Sequence, residues 1–173
     1  MYYCDNHIIF QHRSSKMIYR LKMSLHKKNL CQEFIPVPAD IKQEHVVEFC
    51  VNEWGTEQDI ESVSIISENK NNIEVCFQTI NDPPIEALYA MIDMGFNIQA
   101  YYCDFKSYIA GYLDNTAEKF FVFEGIPSNK IQNAIGENLD NVFKISKFIS
   151  NLEKDKLIFW YERGVEELKL ENK

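Results

Sequence analysis

Glycine is scarce, with six residues in 173, and none of them falls in a GxxxxGK[ST] or GxGxxG run. Loops of those kinds are what cradle phosphates with backbone N–H groups, so nucleotide hydrolysis is not expected. The five cysteines, Cys4, Cys31, Cys50, Cys76 and Cys103, are odd in number, widely spaced and without a CxxC pair. That lacks the density of a secreted disulfide scaffold and fits a reducing cytosol. Long apolar runs are missing too. Ile8 to Phe10 and Leu157 to Tyr161 fall far short of the ~20 residues a spanning helix needs. Arg13, Lys16, Arg20 and Lys22 interrupt the early apolar runs, so no signal peptide is read and the chain is expected to be soluble, without a membrane partner.

What is present is a composition of 46% hydrophobic, 13% aromatic and 25% charged residues, enough to build a core. It suits one domain, or one domain with an appendage. The net charge of −8 is uneven: residues 1–30 carry six Lys/Arg against one Asp/Glu, while residues 51–173 carry eleven against twenty-one.

His7 to His12 read as a first strand, followed by Ser14 and Ser15 as candidate N-caps. Met17, Ile18, Leu21 and Leu25 recur at three- and four-residue steps and predict a helix over 15–29. Lys16, Arg20 and Lys27 gather on its opposite face with Arg13 nearby, making a basic stripe. Pro36 and Pro38 make Cys31 to Pro38 an irregular connection. Asp40 then resembles an N-cap, with Gln43 at the capping-box spacing, for a helix carrying Val46 to Trp54 and closed by Gly55.

Period-two alternation over Ile60 to Glu68 and Ile73 to Thr79, around Asn69 to Asn72, predicts a β-hairpin. Pro83 and Pro84 open a helix whose apolar face is Ile85, Leu88, Tyr89 and Ile92, ending at Gly95. Asn97 to Cys103 form a further strand, and Ser107 to Leu113 with Lys119 to Glu124 a second hairpin. Beyond Gly125 the helical spacing of Leu139 to Ile149 and of Leu157 to Leu168 predicts two closing helices. The expected organisation is an α+β domain over 1–125 with a helical extension over 126–173 packed on it.

Strand, helix, extra helix, strand, strand, helix, strand is the order of the split βαβ, or ferredoxin-like, arrangement with an inserted helix, here followed by an extra hairpin. Tyr3-Cys4-Asp5-Asn6, Phe34-Ile35-Pro36-Val37-Pro38, Asn52-Glu53-Trp54-Gly55-Thr56, Asn81-Asp82-Pro83-Pro84 and Tyr108-Ile109-Ala110-Gly111-Tyr112 together resemble the YubB-type ferredoxin-like domain family, found mainly on plasmids and bacteriophages. The resemblance covers roughly residues 3–113. It implies a ferredoxin-like fold without an iron–sulfur cluster, carried by a mobile element in a bacterial cytoplasm, and it supplies no catalytic residues. Two departures stand out. The acidic residue ahead of the Ala-Gly pair is less clearly placed, with Asp104 the nearest, and the family's short C-terminus is replaced by residues 126–173.

Pairs such as Cys4 with His7, or His45 with Cys50, fall short of the four ligands structural zinc takes, so no metal or cofactor is expected. No local Cys/Ser–His–carboxylate signature is found and no catalytic residue is assigned; Cys50 and Cys76 read as buried fillers. Trp54 either caps the core or lines a binding surface, the core being favoured. Tyr101, Tyr102, Tyr108 and Tyr112 suit core or partner contact better than base stacking, because Asp104 and Glu124 are neighbours and the RNA-recognition signature is absent.

Lys16, Arg20, Lys27, Trp54, Tyr101 and Tyr112 are the candidate partner contacts. The expected function is a non-catalytic interaction protein of a phage or plasmid, an inhibitor of a host defence complex such as a CRISPR effector, whose acidic body meets a basic groove on its partner. The alternative is a nucleic-acid-binding module using the basic stripe.

Overall fold

The computed structural model describes residues 2–155 of the chain, which divides into two compact units, Met1–Glu124 and Gly125–Lys173. The first unit is α+β. Its elements are β1 (Tyr3–Gln11), α1 (Ser15–Lys27), α2 (Leu30–Phe34), α3 (Val46–Trp54), β2 (Glu61–Glu68), β3 (Asn72–Ile80), α4 (Ile85–Asp93), β4 (Asn97–Asp104), β5 (Ile109–Asp114) and β6 (Glu118–Val122). The strands form one open sheet in the order β2-β3-β1-β4-β5-β6, antiparallel at every pairing. No described helix is long and apolar enough to cross a membrane.

Alternation decides which face is covered. Ile8 and Phe10 of β1, Ile73, Val75 and Phe77 of β3, and Ile98 and Ala100 of β4 point to one side and are buried against Ile18, Leu21 and Leu25 of α1 and Leu88 and Met91 of α4. Each such aliphatic or aromatic side chain removed from water contributes about 1.5–3 kcal/mol. β1 starts at Tyr3, four residues before the expected strand, because Tyr3 to Asn6 find ladder partners in β3, and Asp5 and Asn6 in β4 as well.

α1 stops at Lys27, two residues early. Lys28 turns left-handed at φ 56° and the N–H groups of Lys28 and Asn29 return to the carbonyls of Leu25 and Ser24. Cys31 to Pro38 is expected to be an irregular connection, but its first four residues belong to a short helix, Leu30–Phe34. Its cap comes from far along the chain: the Asp59 carboxylate accepts the N–H groups of Cys31 and Gln32 at 3.0 and 2.8 Å, and that of Ile60 at 2.9 Å. Burial is the larger effect on Asp59 and pushes its carboxyl above the usual range despite those donors.

Asp40 caps nothing. A 3₁₀ turn over Gln43–His45 leads into α3 instead, and Gly55, at φ 81°, ends α3 as expected. On α4 it is Ala87 and Met91 that are buried with Leu88, while Tyr89 is exposed.

The second unit contains α5 (Ile131–Ile135), α6 (Glu137–Phe143) and helical residues 145–155; the expected helix over 157–168 lies outside the described residues. Asp140 organises it. Its carboxylate accepts the Ser146 N–H at 2.6 Å, the Ser146 hydroxyl at 2.8 Å and the Gln132 amide at 2.9 Å. Burial opposes its charge, but these bonds and Lys144 together hold the carboxyl below its ordinary value.

A depressed carboxyl contributes stability above its unfolded-state pKa of about 4, and that stability is lost as pH falls through the lower folded value. Asp140→Asn is therefore expected to melt earlier than the wild type at pH 7. The gap should close as pH falls below about 4, read by thermal melts followed by circular dichroism. A gap independent of pH would mean that the carboxylate charge is not what Asp140 contributes.

Candidate functional site

The basic stripe is partly consumed by the fold. Arg20 Nε donates to Glu33 at 2.7 Å and its Nη2 to the Glu33 carbonyl at 2.5 Å, while the guanidinium lies 4.7 Å from the Phe34 ring centroid. Arg20 thus holds α2 against α1 with its charge offset, though it stays exposed like Lys16 and Lys27.

Trp54 is 4% exposed, donates its indole N–H to the Ile35 carbonyl at 2.8 Å and meets Phe49 edge-on. It belongs to the satellite core of Cys31, Cys50 and Ala87 and offers no face to a partner. Tyr101 and Tyr112 are directly opposite one another on β4 and β5, on the sheet face away from α1 and α4, and both are half-buried. His7 lies 6.3 Å from Tyr101, ring to ring, and hydrogen-bonds Glu74 at 2.9 Å. That bond, with one from Ser67, lowers the Glu74 carboxyl.

Two clefts open at the ends of the strands. One, of about 840 Å³, is lined by His12, Arg13, Asn69, Asn71, Asn97 and Asn115 among others. Its amides serve mainly to close turns: Asn115 accepts from the Ile98 N–H and donates to the Phe96 carbonyl, Asn69 accepts from the Asn71 N–H, and Asn97 donates to Gln11. His12 accepts the Ser14 N–H.

The other, of about 350 Å³, is lined by Tyr2, Cys4, Asp82, Tyr102, Asp104 and Ser107 among others. Burial raises the Asp82 carboxyl, with Asp104 and Glu57 adding to the effect. Asp104 accepts the N–H groups of Lys106 and Ser107 and so builds the β4–β5 turn. Burial pushes the thiols of Cys4, Cys31 and Cys103 well up, which makes them poor nucleophiles. Among the described residues no group of three or more His, Cys, Asp or Glu side chains could hold a metal ion.

The two edges of the sheet differ in kind. β2 is broken by register shifts between Glu61 and Ser64 and between Ile65 and Ser67, with Ser62 at φ 50°. Bulges of that sort twist an edge away from a second strand. β6 pairs with β5 in unbroken register, Ile109 with Val122 through Leu113 with Glu118.

On β6, Phe120 is 66% and Val122 56% exposed, on the same face as Glu118, whose carboxylate accepts the Tyr89 hydroxyl at 2.8 Å. Behind them the Tyr102 ring lies over Gly111, which faces Phe120 across the ladder. Sequence reasoning found this hairpin but not its position as an outer edge, which depends on strand order. The phenylalanines on both faces, Phe120 and Phe121, are the signal that could have marked it.

No protein-family model, curated protein or solved structure matches the chain.

Proposed function

We propose that this chain is a non-catalytic protein-interaction module of the YubB-type ferredoxin-like kind, carried by a phage or plasmid. It acts in the host cytoplasm on a host protein or nucleoprotein complex of the defence machinery. The order β2-β3-β1-β4, antiparallel throughout, with helices after β1 and β3, supports the ferredoxin-like part of this reading. The observation that carries the interaction is the exposed apolar pair Phe120 and Val122 on a regular, open edge strand. Large apolar side chains grouped at an unpaired edge mark a place where another chain docks. The pairing of Arg20 with Glu33 weighs against the nucleic-acid alternative, because it removes one of the three cations that binding would use.

Affinity capture from host lysate with the tagged chain, followed by mass spectrometry, is expected to recover a stoichiometric protein partner that Phe120→Asp fails to retain. Recovery of no stoichiometric partner would overturn the proposal.

A further inference from the structure

The ladder between β5 and β6 fixes which backbone groups of β6 are free to bond. The Asp114 N–H donates to the Ala117 carbonyl at 2.9 Å and the Phe123 N–H to the Tyr108 carbonyl at 2.8 Å, one at each end of the hairpin. Antiparallel pairs alternate between bonded and non-bonded, so the bonded pairs between these ends are Tyr112 with Lys119 and Ala110 with Phe121. Glu118, Phe120 and Val122 stand in the non-bonded pairs and point their N–H and C=O groups outward, away from β5. These are the same residues whose side chains share the exposed apolar face.

Resting on the interaction reading above, we propose that β6 accepts an extended segment of another polypeptide as a seventh, antiparallel strand, and that this segment sets apolar side chains opposite Phe120 and Val122 and a basic one, on the same face, opposite Glu118. Strand addition draws affinity from main-chain bonds and specificity from alternate side chains. The three outward residues offer six main-chain groups. Phe120 and Val122 give apolar contact to the side chains that land on their face. The charge of the partner follows from the surroundings: Glu118 lies on the face of Phe120 and Val122 and Glu86 acts on Tyr89 beside it, while Lys119 stands on the opposite face, and the chain carries a net −8. A basic segment is attracted to this edge, and attraction speeds its encounter.

A second copy is a worse occupant. The self-pairing that uses all six groups sets Phe120 against Phe120 and Glu118 against Val122, placing each carboxylate beside an apolar neighbour between two bodies of like charge.

The test uses the full chain labelled with ¹⁵N and a seven-residue Lys/Val peptide, Thr-Val-Thr-Val-Thr-Lys-Thr, whose alternate side chains meet Val122, Phe120 and Glu118 in turn, with a Glu/Val peptide carrying Glu in place of Lys as its counterpart. Binding followed by fluorescence anisotropy, and amide exchange followed by NMR, read affinity and site together. The Lys/Val peptide is expected to slow exchange at Glu118, Phe120 and Val122 while the already bonded amides of Lys119 and Phe121 change little. It is also expected to bind more tightly than the Glu/Val peptide.

Val122→Pro removes an outward N–H that the β5 ladder does not use, and is expected to weaken binding about tenfold or more with the hairpin intact. Phe120→Thr keeps the backbone and loses the apolar contact, so it should weaken binding as well. Equal binding of both peptides, unchanged affinity in Val122→Pro, or protection elsewhere than β6 would each overturn the proposal, as would self-association that Val122→Pro abolishes. If a stoichiometric lysate partner is retained equally by the wild type and by Phe120→Asp, this site falls while the interaction reading stands.

Discussion

Phe96→Ala is expected to cost about 3–5 kcal/mol of folding free energy, the range for truncating a fully buried aromatic. Phe96 is buried where three elements converge. It meets Phe10 of β1 edge-on at 6.2 Å and Phe34 of α2 edge-on at 5.6 Å, and the His12 ring lies 4.8 Å away. Its backbone is fixed independently, the N–H on the Met91 carbonyl and the C=O on the Asn115 amide, so the chain cannot slide inward to fill the space. A typical domain has only about 5–15 kcal/mol to lose. Urea unfolding of wild type and variant measures the difference; a loss under about 1 kcal/mol would mean that the neighbouring rings collapse into the cavity.

Gly111→Ala is expected to cost about 1–3 kcal/mol, as overpacking does, and to loosen the β5–β6 end of the sheet selectively. Its backbone is not left-handed, so the requirement for glycine here is spatial. A Cβ at this position would press on the Cζ and hydroxyl of Tyr102 and stand 2.7 Å from the Lys119 carbonyl oxygen. The ring could turn away, but the carbonyl belongs to β6 and can yield only if the strand does. Amide exchange is expected to accelerate over Ile109–Asp114 and at the ladder-bonded amides of Lys119 and Phe121, and to change little in β1 and β3. Uniform acceleration across the sheet would show that the hairpin is not an independently opening segment. Because the outward residues of β6 keep their alignment only while this ladder holds, the same variant should also lose the Lys/Val peptide.

The first hairpin was legible in the sequence because alternation is a local signal: Val63 and Ile65, and Ile73, Val75 and Phe77, each recur at every second residue. α2 was not, because Pro36 and Pro38 dominate the local pattern and the cap that makes the helix worthwhile is Asp59, a residue from another part of the chain. Tyr89 fits the helical period yet points outward, since its hydroxyl finds Glu118 while Met91 fills the core. Among the candidate contacts, Lys16 and Lys27 were rightly read as exposed, whereas the engagement of Arg20 with Glu33 needs α2 to exist first. Phe120 and Val122 were missed for the same reason that strand order is hard to read: edge status is a property of the whole sheet.

The bulges and the left-handed Ser62 that distort β2 have a consequence for stoichiometry. A sheet with two regular edges could be extended from both and would template an open fibre. With only β6 regular of the two edges, this chain offers a second strand one side of its sheet and cannot bridge two neighbours. On the strand-addition proposal, the molecule would therefore bind one extended segment, one to one, from one side of its sheet.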